Sequence, residues 1–316
     1  MPLFDELKIF TGNAHPALAQ AICDYLGIPL GTARVFKFSN DNTFVQFLDD
    51  LRHRDVFLIQ PFAYPVNDSV MELLIMADAA RRASAGRVTA VVPYYAYGRT
   101  DKKDQPRVPI TARLIADCLQ VAGVNRILTI DLHAGQIQGF FNIPVDELSA
   151  LPLLARHIQQ KRLGDAVVVA VDIGISKKSR DMAARLGLPL AIIEKRRLGN
   201  QDRTETLTVI GDVEGKATVC FDDEIDTAGS LMGALQALEM AGAREVYACC
   251  THPVFSGPAV QRINTSPLKE VAVTDTLPLP PSKASPKVTV LSIAPLLGEA
   301  IHRIHAGLSV SRIFEE

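Results

Sequence analysis

The sequence predicts an α/β protein whose sheets are mainly parallel and doubly wound, arranged as two domains. Short β-branched runs alternate with amphipathic stretches along the chain. The β-branched runs are nearly continuous in apolar residues, as strands covered on both faces are. The length of 316 residues corresponds to about two domains at roughly 150 residues each.

In chain order, strands are expected at 56–60, 87–92, 126–131, 166–172, 217–222 and 245–251. A helix is expected over 69–83, with Val70, Leu73, Leu74, Ala77 and Ala80 on one stripe, and another over 227–241, with Leu231, Ala234, Leu235 and Leu238. A shorter strand at 190–193 precedes a basic segment, and a β-like run at 206–210 follows it. A new helix–strand series begins after Pro144, so the domains are expected at 1–149 and 150–316, with the last residues packing back on the N-terminal domain. The Pro- and Ser-rich stretch 278–286 is expected to be a surface loop.

Composition excludes several classes. With 48% hydrophobic residues the chain can bury sizeable cores, and a formal net charge of -2 argues against a broad nucleic-acid surface. Cys23, Cys118, Cys220, Cys249 and Cys250 form no CxxC pair, which fits a reducing cytoplasmic compartment. The first residues lack the plan of a signal peptide, and no apolar run approaches the roughly 18 residues of a membrane span.

In open α/β sheets, ligands bind beyond the carboxyl ends of the strands, and four segments qualify. The first is FDDEIDTAGSL, residues 221–231. Asp222 and Asp223 end a strand, and Asp226, Thr227, Ala228, Gly229 and Ser230 lead into a helix whose N-terminal amides suit an anion. Acids beside a phosphate cradle suit a phosphorylated ribose; the simpler reading is an ordinary helix cap. The second is TIDLHAGQIQGFFNIP, in which Asp131 and His133, one residue apart on a strand, are expected to face the same way. They suit a divalent ion among phosphates, or a structural hydrogen bond. The third is the polar loop expected after residue 193, which carries Lys195, Arg196, Arg197 and Arg203. It could close over a polyphosphate or be a solvated hairpin. The fourth, residues 93–110, sets Arg99, Lys102, Lys103 and Arg107 beside Tyr94, Tyr95 and Tyr97. Arg99 suits phosphate, whereas the tyrosines suit either packing or stacked RNA bases.

FDDEIDTAGS resembles the phosphoribosyl diphosphate-binding signature shared by phosphoribosyltransferases and ribose-phosphate pyrophosphokinases. DLHAGQIQGFFNIPVD, GRTDKKDQPR, KFSNDNT, THPVFSGPA and SVSRIF resemble the pyrophosphokinase branch, so the similarity runs from about residue 8 to residue 314. The resemblance implies two phosphoribosyltransferase-type domains, a homohexamer built from dimers, and Mg²⁺-dependent transfer of the diphosphate of ATP to ribose 5-phosphate. It implies Lys195 and Arg197 as the catalytic pair, and Phe38, Asn40, Asn42, Arg99 and His133 at ATP, with adenine held across a subunit interface. Asp131, His133 and Asp172 are implied at the metal. Asp222, Asp223, Asp226, Thr227, Ala228, Gly229 and Ser230 are implied at ribose 5-phosphate, and Arg52, Ser309 and Ser311 at a regulatory phosphate or ADP site. Neither nucleic acid nor membrane is implied as a partner.

The chain departs from the family pattern at four places. Asn42 and Asn142 stand where acids are usual, Gly135 where a serine is usual, and Ile175 where a second glycine is common. A phosphoribosyltransferase and a catalytically silent regulatory homologue remain the alternatives; intact Lys195 and Arg197 speak for an active synthetase.

Overall fold

A computed structural model describes residues 6–197 and 205–314. The chain forms two compact units, the first made of the residues through Leu148, Thr276–Pro278, and the chain from Ser292 on. The second comprises Ser149–Asp275 and Leu279–Leu291.

The first unit contains β1 (Leu7–Thr11), α1 (Pro16–Leu26), β2 (Ala33–Lys37), β3 (Thr43–Phe47), β4 (Asp55–Ile59), α2 (Val66–Arg82), β5 (Arg87–Val92), α3 (Thr111–Ala122), β6 (Arg126–Ile130) and β7 (Val145–Leu148). Its main sheet has the order β1-β4-β5-β6-β7, with every neighbouring pair parallel. Strands β2 and β3 form a separate antiparallel hairpin. All five residues of β4 are buried, which is why Val56–Ile59 read as an unbroken apolar run after Asp55. On α2, Val70, Leu73, Ala77 and Ala80 of the expected stripe are buried.

The second unit contains α4 (Leu151–Gln160), β8 (Ala166–Ala170), α5 (Ser176–Leu186), β9 (Leu190–Arg197), β10 (Glu205–Ile210), β11 (Ala217–Ile225), α6 (Gly229–Met240), β12 (Glu245–Pro253), α7 (Ala259–Thr265), β13 (Glu270–Thr274) and β14 (Val288–Leu291). The sheet order is β10-β9-β8-β11-β12-β13-β14, and β9–β10 is its antiparallel pair. Leu231, Ala234, Leu235 and Leu238 of α6 are buried in its core, as their spacing predicts.

The last helix, α8 (Ala294–Ala306), belongs to the first unit. It approaches α1 closely: a Cβ at Gly298 would lie 2.3 Å from Cδ1 of Tyr25, so any larger residue there would have to displace that ring. A buried ion cluster also fastens it. Asp55 is 0% exposed and accepts from Arg87 Nε at 2.8 Å and pairs with His305 Nδ1 at 3.0 Å, while Arg87 also donates to the Ile304 carbonyl.

Among the expected boundaries that move, two change how expected site residues are presented. Strand β6 ends at Ile130, and Asp131 follows in a left-handed conformation (φ 42°), buried, whereas His133 is exposed. The alternation expected to align Asp131 with His133 therefore does not apply, because it requires extended backbone through both. Residues 194–197, expected in a polar loop, instead continue β9, with Lys195 opposite Leu207 and Arg197 opposite Glu205. Backbone pairing with β10 extends the strand past the point where its apolar pattern ends.

Candidate active site

The most completely formed site lies in the second unit, at the carboxyl end of β11. This strand runs to Ile225, three residues further than expected, because Asp222, Glu224 and Ile225 keep register with Cys250, His252 and Pro253 of β12. Asp223 and Glu224 are buried and Asp222 partly so. The carboxyl of Asp222 is held well above the usual range, first by burial, then by the charge and hydrogen bond of Asp223 and the charge of Asp172.

After the strand, Asp226 accepts from the hydroxyl of Ser256, and its carbonyl accepts from Ser256 N–H at 3.1 Å. Ala228 then adopts φ 59° and ψ 15°, and the helix begins at Gly229. A left-handed residue followed by a right-handed one makes successive amides converge in a cradle for anions. The left-handed conformation costs a residue with a Cβ about 1–2 kcal/mol. Ala228 supplies no side-chain cap, and the first turn of α6 carries no acid. The ordinary-cap reading thus loses its two expected marks, and the amides face a loop in which Thr227, Gly229 and Ser230 are exposed.

Sequence reasoning missed three further residues at this loop. Besides Ser256, Arg262 Nη1 donates to the Thr227 carbonyl at 2.9 Å. Lys283 donates to the Val254 carbonyl at 2.9 Å; burial lowers its pKa and the charge of Asp226 opposes that shift. Ser256 was discoverable, since THPVFSGPA also leaves an apolar strand for polar residues. Lys283 was not, because it arrives from the distant Pro/Ser stretch, whose Pro281–Lys283 forms a single 3-10 turn.

Asp172 follows β8 and accepts from Ile175 N–H at 3.1 Å, at the start of α5. A Cβ at Gly174 would come within 3.1 Å of its Oδ1.

The first unit gathers a second set of residues beyond β5 and β6. A Cβ at Gly98 would sit 3.3 Å from Cβ of His133, so the turn carrying exposed Arg99 lies directly against the DLH segment. Gln136 Nε2 donates to Asp101 Oδ2 at 2.6 Å and joins the same two loops. Tyr95 is buried, donates to the Ala112 carbonyl at 3.0 Å and packs on Phe62 and Phe141. It is core, which removes it from the aromatic surface that RNA would need.

Phe38, Asn40 and Asn42 sit exposed at the turn of the β2–β3 hairpin, where Phe38 N–H donates to the Asn42 carbonyl at 2.9 Å. Rings of Phe36, Phe38 and Phe44 pack there edge-to-face or tilted, with centroids 5.0–5.6 Å apart. Ser309 and Ser311 hydroxyls are 2.7 Å apart, and Arg52 is exposed. Asn142 is exposed, and nothing lies within 4 Å of a Cβ built at Gly135, so packing does not demand glycine there. The side chains of the expected catalytic pair, Lys195 and Arg197, lie outside the described residues.

Fold and loop together define the class: a doubly wound α/β protein with an anion cradle at the carboxyl end of a central strand. Residues 7–123 match the family model described as the N-terminal domain of ribose phosphate pyrophosphokinase, and residues 198–315 match the phosphoribosyl synthetase-associated domain. A ribose-phosphate pyrophosphokinase of Clostridium acetobutylicum is 52% identical over 313 residues, 98% of each chain. One from Caldanaerobacter subterraneus is 51% identical over 311 residues, again 98% of each. The crystal structure of phosphoribosylpyrophosphate synthetase from Mycobacterium smegmatis matches with a TM-score of 0.92 and 42% identity, covering 96% of this chain and 100% of that one. The chain belongs to the ribose-phosphate pyrophosphokinase family of enzymes.

Proposed function

We propose that this chain transfers the diphosphate of ATP to the C1 hydroxyl of ribose 5-phosphate, giving 5-phosphoribosyl 1-diphosphate and AMP. The observation that carries the reading is the uncapped amide cradle at Ala228–Ser230, next to the acids Asp222 and Asp223. In it the amides and the Thr227 and Ser230 hydroxyls hold the 5-phosphate, and the acids accept from ribose hydroxyls. The C1 oxygen then attacks the β-phosphorus of ATP, the bond from that phosphorus to the α–β bridging oxygen breaks, and AMP leaves.

The nucleotide is assigned to the first unit. Phe38, Asn40 and Asn42 take the adenine, while Arg99 and His133 meet its phosphates. Arg99 offers a planar fork of donors matched to phosphate oxygens. Lys195 and Arg197 are assigned the charge that develops during transfer.

The donors fit Mg²⁺. Among the described residues no three His, Cys, Asp or Glu side chains are disposed to hold a metal by themselves. Mg²⁺ characteristically binds through one or two carboxylates plus waters and substrate phosphates. Asp131 and His133 in the first unit, and Asp172 in the second, are each assigned a contact to Mg²⁺ within their own unit; bound there, the ion would neutralise polyphosphate charge.

The Phe36–Phe38–Phe44 cluster, in which Phe36 and Phe38 are exposed, supports assembly of several copies, a homohexamer built from dimers in the family's manner, and light scattering of the purified chain tests it. Arg52, Ser309 and Ser311 are assigned to a regulatory anion. All five cysteines are free thiols, which supports a cytoplasmic setting, and no described helix is long and apolar enough to cross a membrane.

The test uses Mg²⁺, ribose 5-phosphate and ATP labelled separately at the β and γ phosphates. AMP together with both labels on one ribose product is expected. Transfer of the γ label alone, or no AMP with any nucleoside triphosphate, would overturn the reading.

A further inference from the structure

We propose that Arg262 is a positioning residue for the sugar-phosphate subsite, holding the strained Ala228–Gly229 backbone in the conformation that turns its amides toward the phosphate. The inference rests on the reading of residues 226–230 as that subsite.

Where successive amides converge on one side, the neighbouring carbonyls turn to the other and need partners of their own. The Thr227 carbonyl finds one in Arg262 Nη1 at 2.9 Å. Ala228, which follows it, adopts a left-handed conformation (φ 59°) that its Cβ disfavours, so the turn needs support from outside the loop. Arg262 lies on α7, and its own N–H donates to the Pro258 carbonyl at 2.9 Å, which ties the donor to a helical turn.

The same short segment also braces the preceding residue, Asp226. Ser256 binds both the carbonyl and the carboxylate of Asp226. Residues 256–262 therefore hold two consecutive residues, Asp226 and Thr227, immediately ahead of the amides. A Cβ placed at Gly229 would lie 3.6 Å from Arg262 Nη1 and 3.5 Å from Thr227 Oγ1, so the guanidinium borders the cradle without occupying it. None of this geometry requires Arg262 to touch the substrate.

Two mechanisms are separable by experiment. If Arg262 acts by supporting the left-handed turn, its loss should matter less once residue 228 is glycine, which adopts that conformation freely. If it acts by charge on the phosphate, residue 228 should make no difference. The full-length chain, its Arg262→Met and Ala228→Gly variants, and the double variant are titrated with ribose 5-phosphate by calorimetry, alongside steady-state kinetics.

Arg262→Met is expected to weaken ribose 5-phosphate binding about tenfold, the size of one lost charged hydrogen bond, with KM for ATP within about twofold. In the Ala228→Gly background the same change is expected to weaken binding about threefold or less. Arg262→Lys, which keeps a donor, should recover part of the loss, and it replaces Arg262→Met in the comparison if circular dichroism shows that variant unfolded. Unchanged affinity in Arg262→Met, or an equal loss in both backgrounds, overturns the proposal while leaving the enzyme reading intact. Failure of the unmodified chain to bind ribose 5-phosphate overturns both.

Discussion

The carboxyl of Asp222 is raised by burial and by the neighbouring charges of Asp223 and Asp172, so the folded chain binds its proton more tightly than the unfolded chain does. The stabilisation from that proton is complete below the ordinary value of 3.8 and is lost as pH rises through the folded pKa. Asp222→Asn removes the titration. Its melting temperature should match that of the unmodified chain near pH 4 and exceed it increasingly toward pH 8, while turnover falls. A stability difference independent of pH would contradict the electrostatic account. Asp226 is different: it is engaged by Ser256, and Asp226→Ala should weaken ribose 5-phosphate binding, which calorimetry reads directly. Lys195→Ala and Arg197→Ala are expected to lower kcat about 100-fold or more while changing ribose 5-phosphate affinity about threefold at most, as suits charges matched to the transition state. Comparable losses in both quantities would remove the pair from that role.

Among the elements, β11 and α6 do most to place the site, because one supplies the acids and the other the amides. The buried stripe of α6 fixes the rotation of the helix about its axis and hence where its first turn points. Leu238 is 0% exposed, so Leu238→Ala should lower stability by about 2–5 kcal/mol in chemical denaturation. The stripe and the strand cores were legible because apolar side chains repeat at the period of the element. Strands β1, β7, β13 and β14 were missed; they are four or five residues long, and β7, VDEL, has no continuous apolar run. The hairpin of β2 and β3 was also missed, although the motif at its turn was noticed. None of its strand residues is buried, so they carry little of the pattern that burial imposes.

For the whole molecule, the notable fact is that the last helix completes the first unit. Asp55, fully buried between Arg87 and His305, binds α8 to residues more than two hundred positions earlier in the chain. Asp55→Ala leaves Arg87 without its carboxylate and should lower stability by about 3–5 kcal/mol, measurable as a lowered melting temperature. A melting temperature unchanged by that substitution would show that the ion cluster does not fasten the helix.

The sequence by itself determined the α/β class, the parallel strands, the core faces of α2 and α6, and the run of acids and small residues between a strand and a helix at 222–230, because burial period and residue type are local properties of neighbouring residues. Only the tertiary structure decided which contacts fasten α8 within the first unit, that Gly98 brings Arg99 against the segment of His133, and that Ser256, Arg262 and Lys283 surround the loop. Each of those is a contact between segments distant in sequence, set by how sheets and helices pack, and no local pattern of residues encodes it.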